Sequence, residues 1–256
     1  MLRNKKGLIF GIANDHSIAW GIAKSLYNQG AKIALTYQNE SFLKRVSPLA
    51  KSIESDLIIP CDVSRENDIK KCFDKIKENW NTIDFIVHAI AYSDKKELSG
   101  RYLDTTSDNF LNTLNISCFS LTAIAKEAIN LMPEGGSIVT LSFYGSEKVV
   151  PNYNVMGIAK AALETSVKYL SVDLGSKNIR VNAISSGPMR TLSGAAIKNA
   201  REVLKFAQKN SPLKRSVSLQ EIGNTTTYMV SDLSTAITGE ILYVDCGYNI
   251  MGMPGI

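Results

Sequence analysis

Short apolar runs alternate with longer helical patterns along the whole chain, and this alternation is the strongest constraint on the fold. A strand, a helix and a second strand in that order form a right-handed βαβ unit, which gives a parallel sheet with helices on both faces. The pattern predicts strands at 7–12, 32–37, 57–61, 83–89, 137–142, 180–184 and 241–244, and helices at about 18–29, 40–52, 66–79, 106–132, 153–175 and 219–231.

These elements predict one α/β domain over residues 1–256. Seven strands fit a doubly wound, seven-stranded parallel sheet of the Rossmann type, which binds nucleotides beyond the carboxyl ends of its strands. Residues 185–217 interrupt the alternation with a helical pattern at about 194–209. Because this segment follows a strand's carboxyl end, we expect a substrate lid; the alternative is an ordinary surface helix.

Composition and charge argue against several classes of protein. No apolar run approaches the roughly 20 residues of a membrane span. The N-terminus, basic and then apolar, superficially resembles a signal peptide, but its apolar run is too short and meets Asn14 and Asp15. We therefore interpret it as the first strand of a cytoplasmic protein. A net charge of +5 without a dense basic run does not indicate nucleic acid. The four cysteines lack metal-ligand spacing and there are two histidines, so we expect reduced thiols and no metal site.

The first predicted strand leads into the segment GIANDHSIAWGIA. We expect Gly11 to end the strand, Ser17 to cap a helix beginning at Ile18, and Gly21 to let that helix approach the sheet. Such a turn directs backbone N–H groups and the positive end of a helix at a pyrophosphate. The segment is not G-x-G-x-x-G, and by itself it also fits a plain strand–turn–helix.

Three further strand ends carry residues suited to a dinucleotide. Gln38 follows the second strand, where its neutral amide can bind a ribose 2′-hydroxyl, and no basic residue follows at once, which favours NADH over NADPH. Asp62 and Val63 follow the third strand, where a carboxylate can hold the adenine amino group. The fourth strand ends in HAIA, whose small residues let the backbone and Ile90 lie against a cofactor. We expect His88 in that strand to be a core histidine.

The fifth strand is followed by PNYNVMGIAKA. There Tyr153, Met156 and Lys160 fall on one face of the predicted helix, with Tyr153 in its first turn. An ammonium group close to a phenol lowers the pKa of the phenol. Lys160 can also hold the nicotinamide ribose, and Tyr153 can donate to a developing oxyanion. Taken alone, the pair also fits a surface tyrosine and lysine on an amphipathic helix.

The spacing of this pair resembles that of the bacterial enoyl-acyl-carrier-protein reductases, a divergent branch of the short-chain dehydrogenases. Ordinary short-chain dehydrogenases carry a tyrosine four residues before the lysine, where this chain has Met156, whereas Tyr-x6-Lys is the enoyl reductase pattern. The segments TYQNE, CDV, VHAIA, RVNAISSGPMRTL and SDLSTAITGEILYVDCGY also resemble that family. The resemblance therefore covers nearly the whole chain.

The resemblance implies NADH-dependent reduction of the trans-2 double bond of enoyl thioesters on acyl carrier protein, the last step of each fatty-acid elongation cycle. It implies that hydride reaches C3, that Tyr153 stabilises the enolate oxygen and that Lys160 anchors the ribose. It also implies a homotetramer. Further cofactor contacts are implied at Met189, Arg190, Thr191, Leu192 and Ser193, and substrate contacts at Ser93, Phe143, Tyr144, Tyr153, Met156 and Ile197.

One position departs from the family, and one charged stripe suggests a partner. Many relatives carry a second tyrosine after the fifth strand, where this chain has Phe143, which we expect to pack beside the acyl chain. The adjacent Tyr144 is expected to point the opposite way, so we assign it no catalytic role. Lys198 and Arg201 share a face of the lid helix with Lys205 and are candidates for docking acidic acyl carrier protein; a solvated face is the alternative.

Two other functions compete with the enoyl reductase. A short-chain 3-oxoacyl or carbonyl reductase would have the same fold, but the absence of a tyrosine at Met156, and Phe143 where such enzymes carry serine, argue against it. A dinucleotide-binding sensor without turnover is the non-enzymatic alternative. The presence of both Tyr153 and Lys160 argues against a sensor, while Phe143 argues for it.

Overall fold

A computed structural model describes residues 1–253, of which seven segments form a single parallel sheet. The sheet order is β3-β2-β1-β4-β5-β6-β7, so the chain reverses direction across the sheet between β1 and β4. This reversal opens a crevice at the carboxyl edge, which is the usual ligand site of such sheets. The strands are β1 Lys6–Phe10, β2 Lys32–Tyr37, β3 Leu57–Pro60, β4 Phe85–His88, β5 Gly136–Ser142, β6 Ile179–Ser186 and β7 Ile241–Val244.

Helices cover both faces of the sheet, and each face has its own apolar core. Successive strand residues alternate between the two cores, as Leu8 and Ile9 of β1 do. Helices α1, α2 and α9 pack on one face, and α3, α5 and α6 on the other. The helices are α1 Ile18–Asn28, α2 Glu40–Ser52, α3 Glu66–Trp80, α4 Ser107–Leu114, α5 Ser120–Ala128, α6 Val155–Gly175, α7 Leu192–Ala195, α8 Ala200–Asn210 and α9 Leu219–Val230.

The predicted doubly wound, seven-stranded fold is confirmed, and the largest error concerns the helix expected at 106–132. That stretch is α4, a π-helical turn at Asn115–Phe119, and α5, followed by a 3₁₀ turn at Ile129–Leu131. Ser117 in the π-helical turn accepts a hydrogen bond from the Tyr92 N–H at 2.9 Å and donates to the Tyr92 carbonyl at 3.0 Å. The wider turn thus ties the helix to the loop after β4.

Two predicted helices of the catalytic region also begin or break at asparagines with positive φ. The helix predicted at 153–175 begins at Val155, because Asn152 (φ 66°) and Asn154 (φ 44°) cannot be helical, so Tyr153 lies in the preceding turn. The lid helix predicted at 194–209 is divided into α7 and α8 by Asn199, with φ 61°.

Gly21 has a different role from the one expected. A Cβ at Gly21 would lie 2.7 Å from the Cβ of Leu219, so the missing side chain lets α1 approach α9 and not the sheet. None of the helices within residues 1–253 is long and apolar enough to cross a membrane.

Candidate active site

A cavity of about 890 Å³ lies beyond the carboxyl ends of the strands. It extends from the loop after β1 to the segment 185–217, for which the sequence predicts a lid, so one space contains both the predicted cofactor residues and the predicted substrate residues. The predicted residues that line it are Gly11, Ser17, Ile18, Gln38, Asp62, Val63, Ile90, Ser93, Phe143, Tyr153, Met156, Lys160, Met189, Thr191, Leu192 and Ile197.

Two predicted residues are not among the described residues that line this cavity. Arg190 is exposed to solvent. The ring of Tyr144 packs edge-on against Tyr243 and Tyr248, with centroids 6.4 and 5.7 Å apart, so the geometry does not support its assignment to the substrate. The side chain of Ser193 lies outside what the structure describes.

The loop after β1 is built to bring backbone close to a ligand. Gly11 has φ +98°, and a Cβ there would lie 2.0 Å from the carbonyl oxygen of Ala89, so only glycine fits. The Ser17 hydroxyl accepts hydrogen bonds from the N–H groups of Ala13 and Asn14, both at 3.0 Å. Ser17 is the N-cap residue of α1, which begins at Ile18 as predicted, but its hydroxyl bonds the loop and caps no helical N–H group. The N-terminal N–H groups of α1 thus have no side-chain cap and suit an anionic group such as a pyrophosphate.

An ionised carboxylate lies at the end of β3. Asp62 accepts hydrogen bonds from the Ser64 N–H at 3.0 Å and hydroxyl at 2.8 Å, and the Gln38 amide lies 3.5 Å from its other oxygen. Burial raises the pKa of Asp62, but the hydrogen bonds from Ser64 and Gln38 outweigh it, and the pKa is below its usual value. A carboxylate and a neutral amide side by side suit an adenosine. Phe42, which the sequence analysis missed, adds an apolar ring to this wall.

Tyr153 and Lys160 both line the cavity, and both are almost fully buried, at 7% and 4% exposure. The ring of Tyr153 packs edge-on against Phe143, with centroids 5.0 Å apart. The Lys160 ammonium donates to the carbonyl oxygen of Leu141 at 2.6 Å. That bond anchors the lysine to the end of β5, and two of its three N–H bonds can serve other acceptors.

The pKa of Tyr153 contradicts the sequence expectation. Burial, and secondarily the negative charge of Glu164, raise the pKa of Tyr153 above its usual value. Burial also lowers the pKa of Lys160 to about 8, although Glu164 acts in the opposite direction. The expected lowering of the Tyr153 pKa by Lys160 is therefore wrong, because burial and the Glu164 charge both raise this pKa and Lys160 is not among the groups that shift it. At neutral pH the pair consists of a neutral phenol, which is a donor, and an ammonium group.

Glu164 is a buried carboxylate that the sequence analysis missed. One of its oxygens accepts hydrogen bonds from the hydroxyl groups of Ser142, at 2.5 Å, and Ser146, at 2.7 Å. These serines stand on either side of Phe143, so Glu164 connects helix α6 to the loop that supports the Tyr153 ring. The signal for it was its position four residues after Lys160, on the same helix face.

His88 is a core histidine, as predicted. It is fully buried, and its Nδ1 and Nε2 atoms each lie 2.8 Å from a hydroxyl, those of Thr140 and Ser120. Burial, and secondarily the Lys160 charge, lower the pKa of His88 to about 3, so the ring is neutral at pH 7. A neutral imidazole with both nitrogens engaged is not placed to act as a base.

The substrate side of the cavity is apolar. Tyr153 and Met156 form a small buried cluster with Leu98, against which Phe143 and Ile197 pack. This wall suits an acyl chain. Ser93, by contrast, is buried in a polar network in which the Thr113 hydroxyl donates to it at 3.0 Å and the Asn109 side chain contacts it at 3.1 Å.

The three basic residues assigned to one face of the lid helix do not all lie on a helix. Arg201 and Lys205 belong to α8, whereas Lys198 precedes it in the turn that ends at Asn199. All three side chains are exposed near the rim of the cavity. A basic rim is thus present, but not as the regular stripe that the spacing predicted.

Comparisons with known proteins agree with this geometry. A family model described as enoyl-(acyl carrier protein) reductase matches residues 11–249. A protein of Rhizobium meliloti named enoyl-acyl-carrier-protein reductase (NADH) 2 is 58% identical over 99% of this chain and 95% of its own length. The FabI crystal structure from Candidatus Liberibacter asiaticus superposes with a TM-score of 0.98 at 56% identity, covering 99% of this chain and 98% of that one. The Anaplasma phagocytophilum enoyl reductase solved with NAD has a TM-score of 0.97 at 54% identity, covering 100% and 97%.

Proposed function

The chain belongs to the enoyl-(acyl carrier protein) reductase family, and from that premise we propose that it reduces the trans-2 double bond of enoyl thioesters carried on acyl carrier protein, with NADH as reductant. This reaction is the last step of each fatty-acid elongation cycle. The observation that carries the proposal is that the buried Tyr153 and Lys160 line one cavity together with strand-end residues suited to a dinucleotide and with an apolar wall.

The residues at the cofactor end fit a dinucleotide. Gly11 and the uncapped start of α1 would hold the pyrophosphate, Gln38 and Asp62 the adenosine, and Lys160 the nicotinamide ribose. NADH, when bound, supplies the hydride. Among the described residues that line the cavity, the only basic ones are Lys95 and Lys160. Neither belongs to the β2 end with Gln38, which favours a ribose without a 2′-phosphate.

The remaining cofactor and substrate assignments follow the cavity lining. Ser17, Ile18, Val63, Ile90, Met189, Thr191 and Leu192 belong to the cofactor end, and Ser93, Phe143, Met156 and Ile197 to the substrate end. The lid over residues 185–217 carries members of both sets.

The chemistry of the thioester assigns a role to each central side chain. When C3 accepts hydride, negative charge develops on the thioester carbonyl oxygen, and the neutral phenol of Tyr153 donates a hydrogen bond to it. C2 then takes up a proton. The bond to the Leu141 carbonyl oxygen holds the Lys160 ammonium group at the end of β5, in the lining of the cavity. The apolar wall of Phe143, Met156 and Ile197 excludes water from the acyl chain.

A 3-oxoacyl reductase is the second candidate, and one position disfavours it. Met156 lies four residues before Lys160, is 5% exposed and lines the cavity, so an apolar side chain occupies the place of the hydroxyl that such enzymes use.

The partners follow from charge and from exposed apolar area. Lys198 and Arg201, both exposed at the lid, would dock the acidic acyl carrier protein. Large side chains are exposed on α4, on the π-helical turn that follows it and on α6, which favours an oligomer that buries them, a homotetramer by the resemblance: Leu111 (63%), Phe119 (46%), Tyr169 (73%) and Val172 (79%). A cytoplasmic location goes with this proposal, since the four cysteines are free thiols.

The test is the loss of NADH absorbance with a trans-2-enoyl thioester, run beside a 3-oxoacyl thioester and repeated with Tyr153→Phe. We expect oxidation with the enoyl thioester alone, and a kcat on the order of a hundredfold lower in Tyr153→Phe with NADH affinity unchanged, because one oxyanion donor is lost. Oxidation with only the 3-oxo substrate would overturn the proposal.

A further inference from the structure

The turn that carries Tyr153 is bracketed by two asparagines in left-handed backbone conformations. Asn152 has φ 66°, and Asn154 has φ 44° with ψ −126°. The second pair of angles lies far from the αL region that asparagine tolerates well. Such a conformation is strained and persists where surrounding interactions hold it. The interactions that hold this turn therefore indicate what it is for.

Each asparagine donates its side-chain amide to a different rim of the substrate cavity. Asn154 Nδ2 donates to the Glu97 carbonyl oxygen in the loop after β4, at 2.8 Å. Asn152 Nδ2 donates to the Lys198 carbonyl oxygen in the lid, at 3.3 Å. The two rims are joined as well, since the Lys198 N–H donates to the Leu98 carbonyl oxygen at 3.1 Å. The three bonds link the loop, the Tyr153 turn and the lid.

The ring of Tyr153 also packs against Gly145, which has no side chain. A Cβ at Gly145 would lie 2.5 Å from Cδ1 of Tyr153, and Phe143 packs edge-on against the same ring. Tyr153 precedes α6, and the Met156 N–H of that helix donates to its carbonyl oxygen at 3.1 Å. The position of its hydroxyl therefore depends on the turn between these contacts.

We propose that Asn154 and Asn152 are positioning residues for the reduction, Asn154 setting the place of the Tyr153 phenol and Asn152 coupling that turn to the lid. This inference rests on the proposed function. If the turn required only its backbone conformation, glycine would adopt it at no steric cost. The amide of Asn154 supplies what glycine lacks: a 2.8 Å bond to the loop that carries Leu98 of the apolar wall.

The experiment separates the amide from the backbone conformation. Asn154→Gly keeps the turn accessible and removes the donor, so we expect kcat on the enoyl thioester to fall about ten- to a hundredfold, with the thermal midpoint unchanged or raised and the Kd for NADH within about twofold. Asn154→Asp, which replaces the donor with a carboxylate facing the Glu97 carbonyl, should lose at least as much. Asn152→Gly should raise KM severalfold and leave kcat near that of the wild type.

The matched control is Asn81→Gly, another asparagine with positive φ (63°), at the end of α3, which should leave kcat and KM unchanged. Hydrogen exchange gives a readout independent of turnover. The N–H groups of Met156 and Gly157, bonded to the Tyr153 and Asn154 carbonyl oxygens, should exchange faster in Asn154→Gly and not in Asn81→Gly.

Two results would overturn the inference: wild-type kcat and exchange in Asn154→Gly, or a parallel fall of kcat and thermal midpoint, which indicates a purely structural role. A wild-type enzyme without activity on the enoyl thioester would instead refute the proposed function, and the exchange comparison would still decide whether Asn154 holds the turn.

Discussion

The two halves of the cavity differ in the groups that form them: mainly backbone in the cofactor half and mainly side chains in the substrate half. At the cofactor half the contacts come from backbone: Gly11 lies against the Ala89 carbonyl oxygen, and the Ser17 hydroxyl fixes the loop that leads to the uncapped start of α1. At the substrate half, segments distant in sequence meet through side chains, as Asn154 meets Glu97. In the proposed function, the sheet edge would hold a cofactor common to many enzymes, and loops that can change without altering the sheet would hold the substrate.

The largest expected effect tests whether the cofactor half depends on backbone approach. Gly11→Ala should weaken NADH binding on the order of a hundredfold or more, because its Cβ would lie 2.0 Å from the Ala89 carbonyl oxygen at φ +98°. Fluorescence titration with NADH measures it. The control is Gly100→Ala, which has φ +78° with nothing within 4 Å of its Cβ and should leave the Kd for NADH unchanged. An equal rise of the Kd for NADH in both variants would show that the cofactor half does not depend on close backbone approach at Gly11.

An intermediate effect is expected where the halves meet, at Lys160. Lys160→Met should raise the Kd for NADH about tenfold, since a charge-assisted hydrogen bond to the ribose is lost. The pKa of Lys160 is lowered from 10.5 to about 8. The ammonium group is therefore present at neutral pH, and as the pH rises it loses its proton at a lower pH than an exposed lysine does. Wild-type affinity should therefore be constant up to about pH 7 and weaken above pH 8, by at most tenfold per unit, in titrations from pH 6.5 to 9.5.

Lys160→Met should show a flat profile over the same range. A wild-type profile that is equally flat would show that the ammonium group does not contact the cofactor, and would limit the cofactor half to backbone and strand-end contacts.

The smallest effect is expected from Phe143→Tyr in the substrate half. It introduces the hydroxyl that many enzymes of the family carry at this position. The ring of Phe143 is half-buried, lines the cavity and packs edge-on against Tyr153. Because Tyr153 already supplies the donor, we expect kcat to change by no more than about threefold and NADH affinity to stay constant. Steady-state kinetics with the enoyl thioester decides this, and a change above tenfold would make residue 143 a determinant of turnover.

Local sequence pattern was enough to predict the sheet and to select Gly11, Asp62, Tyr153 and Lys160 as residues that line one cavity. These features depend on local pattern: apolar periodicity within one element, and residues such as Gly11 and Asp62 placed directly after a strand. Since parallel strands align their carboxyl ends at one edge, local positions were enough to predict that these residues share a cavity.

The contacts that hold this cavity together join segments far apart in the sequence and became visible only in the tertiary structure. Asn154 and Glu97 are 57 residues apart and Asn152 and Lys198 are 46 apart, so no local pattern indicates that their groups meet. The same holds for Gly21, which packs against Leu219 of a distant helix. The pKa of Tyr153 also required the fold, because the burial that raises it depends on every segment that closes over the phenol.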